Sequence, residues 1–158
     1  MKKKKIIIFD IPPRNDFVYY NLMHVGNIYS YEYCSKFFDD VVSSIKDTFK
    51  SAEILYKIKR DISSINLDYK KKFLNAESKI DGFKIFYDEV SAQSLIKACD
   101  ASISIPFTST ALIADYLKKP SIYYHPGNEL LKSSFSEKEN NLINIRSDLE
   151  KWLKKVCI

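Results

Sequence analysis

The chain has 158 residues, 46% of them apolar, and a net charge of +5. That suffices for one domain with a packed core, and no apolar run approaches the ~18 residues of a membrane span. Cys34, Cys99 and Cys157 are far apart and contain no Cys-x-x-Cys, which argues against a thiolate metal site and fits reduced thiols of a cytoplasmic protein.

Lys2–Lys5 supply most of the net charge. A lysine run before a first strand is ordinarily a solvated start; contact with an anionic surface, making the protein peripheral to a membrane, is the alternative. The apolar run Ile6–Phe9 is too short for a signal peptide, and Asp10 interrupts it. The 11 tyrosines and 10 phenylalanines are spread along the chain and form no RNA-binding signature, so no nucleic-acid partner is expected.

Residues 4–11 are predicted as a buried strand, a β-branched run closed by Pro12-Pro13. Residues 12–28 hold Arg14, Asn15, Asp16, His24 and Gly26 and are expected to form a long loop, with a turn of helix near residues 19–23. A loop of this length in a compact domain often carries function. A helix is expected over 29–49, with Tyr33, Phe37, Phe38, Val41, Val42, Ile45 and Phe49 at three-and-four spacing. The second strand is expected over 51–58, running into Lys57-Ile58-Lys59-Arg60. Residues 62–78 are expected to be an irregular helix with Lys70–Lys72 outward. Asp81-Gly82 is a turn, 83–87 the third strand, and Ser91 the cap of a short helix over 92–98.

The fourth strand is expected over 102–105 and stops at Pro106, which has no N–H for a ladder. Thr108, Ser109 and Thr110 follow, and any of them suits the cap of a helix over 111–117. The fifth strand is expected over 120–124. His125-Pro126-Gly127-Asn128 is a loop, and the segment to Ile145 is polar and weakly patterned. A last helix over 148–156 is capped by Ser147. The alternation of strands and helices predicts an α/β fold: one Rossmann-like, three-layer sandwich over residues 1–158, with a mainly parallel sheet of about five to six strands.

Two clusters invite chemistry. A helix start with free N–H groups suits a phosphate, so Thr108, Ser109 and Thr110 are candidate anion ligands; capping without a ligand is the alternative. Lys57, Lys59 and Arg60 at a strand end are a candidate phosphate clamp; a solvated strand end is the alternative. Tyr87, Asp88 and Glu89, after the third strand, are weaker candidates for base or ribose, and Arg14 and His125 are candidates on the same rim. No Gly-x-Gly-x-x-Gly, P-loop or Gly-x-Ser-x-Gly motif is present, and there are only 3 glycines, so any phosphate site must be built from side chains. His24 and His125 are not at metal-ligand spacing, and no metal site is expected.

Residues 99–114, Cys-Asp-Ala-Ser-Ile-Ser-Ile-Pro-Phe-Thr-Ser-Thr-Ala-Leu-Ile-Ala, followed by Lys-Pro-Ser-Ile-Tyr-Tyr at 119–124, resemble the C-terminal half of bacterial surface-polysaccharide glycosyltransferases with the GT-B fold. Residues 54–60 resemble that half's basic motif at the end of an earlier strand, and Ile7 to Arg14 its opening strand and loop. The resemblance implies a nucleotide-sugar donor, bound as substrate with no further cofactor, in capsule or lipopolysaccharide synthesis. It implies that Thr108, Ser109 and Thr110 hold the donor phosphate while Lys57, Lys59 and Arg60 neutralise it. A GT-B enzyme has two such halves, and the acceptor site and usual catalytic base lie in the other. The expectation is therefore one half, inactive alone, that needs an acceptor-domain protein or a second copy. A different class remains open: a non-catalytic module pairing with a separate acceptor-domain protein through the aromatic-rich segment 17–38.

Overall fold

A computed structural model describes residues 3–14, 30–59, 61–87, 89–106, 108–127 and 141–157. Within them the elements are β1 (Lys4–Phe9), α1 (Tyr31–Thr48), β2 (Ala52–Lys57), α2 (Leu67–Lys79), β3 (Phe83–Phe86), α3 (Ala92–Ala98), β4 (Ala101–Ser104), α4 (Thr110–Tyr116), β5 (Ser121–Tyr124), β6 (Leu142–Ile143) and α5 (Arg146–Val156). The strands form one six-stranded sheet in the order β3-β2-β1-β4-β5-β6. Every pairing is parallel. This is the predicted Rossmann-like α/β sandwich, in which ligands bind outside the carboxyl ends of the strands where the order reverses, here between β1 and β4.

The sheet is central because its strands are apolar on both faces. Successive residues of β1 point to opposite sides. Ile6 and Ile8 enter a large core with Phe37, Phe38, Ile45, Tyr69, Phe73, Leu149 and Leu153 from α1, α2 and α5. Ile7 and Phe9 enter a smaller core with Leu95 and Ile96 of α3 and Ala114 of α4. The layers are unequal: 18, 13 and 11 residues of helix cover one face, and two helices of 7 residues cover the other.

Helix starts follow local chemistry. Ser30 accepts from the Tyr33 N–H, Asn66 from Asp68 and Tyr69, and Ser91 from Ser94, each satisfying a first-turn donor. Gly82 turns the chain into β3 with φ of 80°, a region side chains rarely adopt.

Four local expectations are corrected. The helix expected over 62–78 is a short 3-10 turn, Ile62–Ser64, capped by Asp61, and then α2 starting at Leu67 behind Asn66. Lys72 does not face outward alone; it pairs with Asp39 of α1. Ser147 caps nothing, because α5 begins at Arg146 behind an extended Ile145. The weakly patterned tail of the chain contributes β6, whose two residues pair with Tyr123 and Tyr124. Most of the long loop expected over 12–28, with His24, lies outside the described residues, as does most of the segment between Asn128 and Ile145. The segment 17–38 is described only from Ser30. There Cys34, Phe37 and Phe38 are core residues, while Tyr31 and Tyr33 are half-buried.

Candidate functional site at the carboxyl edge of the sheet

The strand register places one row of side chains on the α3/α4 face at the carboxyl edge: Phe86, Lys57, Phe9, Ser104 and Tyr123. Neighbouring parallel strands lie ~4.8 Å apart, so Lys57 and Ser104 stand roughly 10 Å apart with Phe9 between them. The β2 cation and the β4 hydroxyl thus share an edge and a face, on either side of a buried aromatic ring.

The loop after β4 is a hydrogen-bonded knot. Ser104 Oγ lies 2.8 Å from Thr110 Oγ1, and Thr110 Oγ1 lies 2.9 Å from Thr108 Oγ1. Thr108 donates to the Ile105 carbonyl at 3.1 Å, and Tyr123 Oη donates to the Thr108 carbonyl at 2.6 Å. Ser104, Thr108 and Thr110 are all buried. Two of the three hydroxyls predicted to meet a phosphate therefore satisfy one another inside the fold, as buried polar groups must. Ser109 between them is exposed, occupies the N-cap position of α4 and makes no side-chain capping bond. It is the member of the triplet that faces solvent.

On β2, Lys57 is buried and its ammonium donates to the Ile58 carbonyl at 3.1 Å and to the Tyr87 carbonyl. It ties the tips of β2 and β3 together. Lys59, one strand period further, is exposed, and so are Tyr87, Glu89 and Arg14. Arg60 and Asp88 lie outside the described residues. Arg14 bridges Ile65, and the Asn66 N–H donates to the Pro13 carbonyl at 2.8 Å, so the segment after β1 is anchored to the entrance of α2.

Two features beneath this edge escaped sequence reasoning. Asp10, directly after β1, is 1% exposed. Its Oδ2 accepts from Tyr56 Oη at 2.6 Å and from Tyr69 Oη. Burial, and then the Asp10 charge, hold both phenols well above the ordinary tyrosine value, so they stay protonated donors. The available signal was a lone carboxylate ending an apolar strand, since such a group needs buried donors. The second is Tyr33 Oη, 2.7 Å from His125 Nδ1. His125 is 4% exposed and its backbone N–H donates to Ile143 at 2.8 Å, so this predicted rim residue is packed inward against α1.

The arrangement sets hydroxyl, cationic and aromatic groups along the carboxyl edge of the sheet. Among the described residues no group of His, Cys, Asp and Glu is placed to hold a metal ion. The three thiols are buried, and burial pushes Cys99 up to about 12 and raises Cys157 as well, which disfavours both thiolates. No described helix is long and apolar enough to cross a membrane.

No curated protein matches the chain. A family model does, over residues 1–153: that of the polysaccharide biosynthesis PFTS motif proteins. The four letters of that motif occur at Pro106-Phe107-Thr108-Ser109, in the loop leaving β4 beside the point where the strand order reverses. On this match the chain belongs to the polysaccharide biosynthesis PFTS motif protein family and takes part in polysaccharide biosynthesis.

Proposed function

We propose that the protein binds a nucleotide-sugar donor as the C-terminal, GT-B-like half of a glycosyltransferase for capsule or lipopolysaccharide, with the donor at the carboxyl edge between β1 and β4. One observation carries the reading: the Pro-Phe-Thr-Ser loop leaves β4 at the switch point, where open parallel sheets receive ligands. In this reading Ser109 and Lys59, both exposed, contact the diphosphate. Thr108, Thr110 and Lys57 shape the loop and the strand tips that present them. Neutralising the departing nucleoside diphosphate is then this half's contribution to transfer, an electrostatic one. Tyr87 and Glu89 lie past the tip of β3 and are the candidates for base or ribose. A separate acceptor domain supplies the acceptor and the base.

Calorimetric titration with nucleoside diphosphates and nucleotide sugars tests this. Expected is saturable binding that weakens about tenfold in Ser109→Ala and in Lys59→Ala, each a lost charge-assisted contact. Absence of binding at millimolar ligand, or affinity unchanged in both variants, overturns it.

A further inference from the structure

All helices of this fold run back towards the amino edge of the sheet, opposite the candidate site. Their last turns and the loops after them are rich in lysine: Lys46, Lys79, Lys97, Lys154 and Lys155 lie in last turns. Lys3–Lys5 open β1 at the same edge, and Lys118 and Lys119 lead into β5. Lysines outnumber carboxylates there, although the whole chain carries only +5. The carboxylates are mostly engaged. Asp81 pairs with Lys3, Glu53 with Lys5 and Asp47 with Arg146, while Asp100 accepts from the Lys5 N–H and Glu77 from the Ile85 N–H; Asp115 also lies there. Lys79, Lys97, Lys118 and Lys154 form no ion pair among the described residues and are exposed.

Cations at helix ends complement the helix dipole, and that alone accounts for some of them. Lys118 is different. It follows the cap of α4 with φ of 53°, the position where glycine is usual, and the Lys119 N–H closes the turn on the Ala114 carbonyl. A lysine there stores backbone strain that glycine would relieve. Beside it on α4, Tyr116 is 82% exposed, and Leu112, one turn back towards the start of the helix, is 59% exposed. Flexible lysines around an exposed tyrosine and leucine match the headgroup layer of an anionic bilayer, where ammonium groups meet phosphate and the apolar side chains sink in. Nucleic acid fits less well, since the one described arginine that reaches this edge, Arg146, is paired with Asp47, and Tyr116 is the one strongly exposed aromatic ring there among the described residues.

We propose that the amino edge of the sheet, from Lys3 across Lys79 and Lys97 to Tyr116 and Lys118, is a docking face for an anionic phospholipid membrane. Docking there leaves the carboxyl edge facing away from the bilayer.

The test is flotation of the full chain with phosphatidylcholine vesicles, with and without about a third phosphatidylglycerol. Expected is binding to the anionic vesicles only, weakening between about 50 and 300 mM salt. Lys79→Gln/Lys97→Gln/Lys154→Gln should lower the partition about a hundredfold, while Lys70→Gln/Lys71→Gln/Lys151→Gln, away from this edge, leaves it within about twofold. Lys118→Gly separates docking from a structural role: it should raise the melting temperature and weaken vesicle binding together. Binding to neutral vesicles alone, no binding, equal loss in both triple variants, or displacement by a single-stranded DNA oligonucleotide at lower concentration than the lipid overturns the proposal.

Discussion

Removal of the Tyr56 hydroxyl is the sharpest probe of the buried cluster beneath the candidate site. Tyr56→Phe keeps the ring, which packs edge-on against Phe38 with centroids 5.5 Å apart, and deletes one donor to Asp10. Donor and acceptor are 0% and 1% exposed, so water does not replace the lost bond. A hydrogen bond to a buried charged group contributes about 1.5–3 kcal/mol. In a domain of this size that lowers the melting temperature by about 3–12 °C. Tyr69 donates to the same oxygen, so the two losses are coupled. The first deletion leaves one donor to strengthen; the second strips the carboxylate of both. Tyr56→Phe/Tyr69→Phe should therefore cost more than the sum of the single variants, by about 0.5–3 kcal/mol. Urea unfolding followed by Trp152 fluorescence and far-ultraviolet circular dichroism measures all four species. A single-variant effect below about 0.5 kcal/mol, or strict additivity, would refute the claim that both phenols hold one buried carboxylate.

The same phenols set an alkaline limit. Their folded values are raised above the ordinary 10.0, so their contribution is complete below that pH and is lost as the pH climbs past it; urea midpoints should be level to about pH 9.5 and then fall, less steeply in the double phenylalanine variant. Gly82→Ala sets a Cβ 2.6 Å from the Ala52 carbonyl oxygen at φ of 80°, and should lose at least about 1 kcal/mol in the same unfolding assay; an unchanged midpoint refutes it. Thr110→Val breaks the bonds to Ser104 and Thr108 at nearly constant shape, and should cost about 1–3 kcal/mol and alter the exchange of amides around residues 108–110. Cys99, pushed up to about 12 by burial, should resist iodoacetamide at pH 8 until urea opens the fold; alkylation at the rate of a free thiol would contradict its burial.

The sheet was legible in the sequence because its strands are short apolar runs ended by proline, glycine or a charge. The isoleucines of Ile6–Ile8 and Ile54 lie where their pattern put them. β6 was not legible: Leu142-Ile143 has no pattern of its own and is a strand through pairing with β5. The site divides in the same way. Strand parity correctly set Ile58 in the large core and Lys57 on the other face. Parity says nothing of where an ammonium ends, and Lys57 ends on the carbonyls of Ile58 and Tyr87. The Thr-Ser-Thr run announced hydroxyls at a helix start. Its outer members turn inward because Ser104, alternating with Ile103 and Ile105, offers them a partner on the same face, and a reading of the loop alone omits that residue.

The central position of β1 has a kinetic consequence. Its backbone meets the start of β4 through the Lys5 N–H and the Asp100 carboxylate, 95 residues apart. Contacts that distant repay the ordering of the intervening chain only once most of it is already in place. The unit of β1, α1 and β2 closes a shorter loop and is free to assemble first, with β4 docking afterwards. On this order the β1–β4 seam is completed late, so a ligand seated across its carboxyl edge would act as a latch on the finished domain.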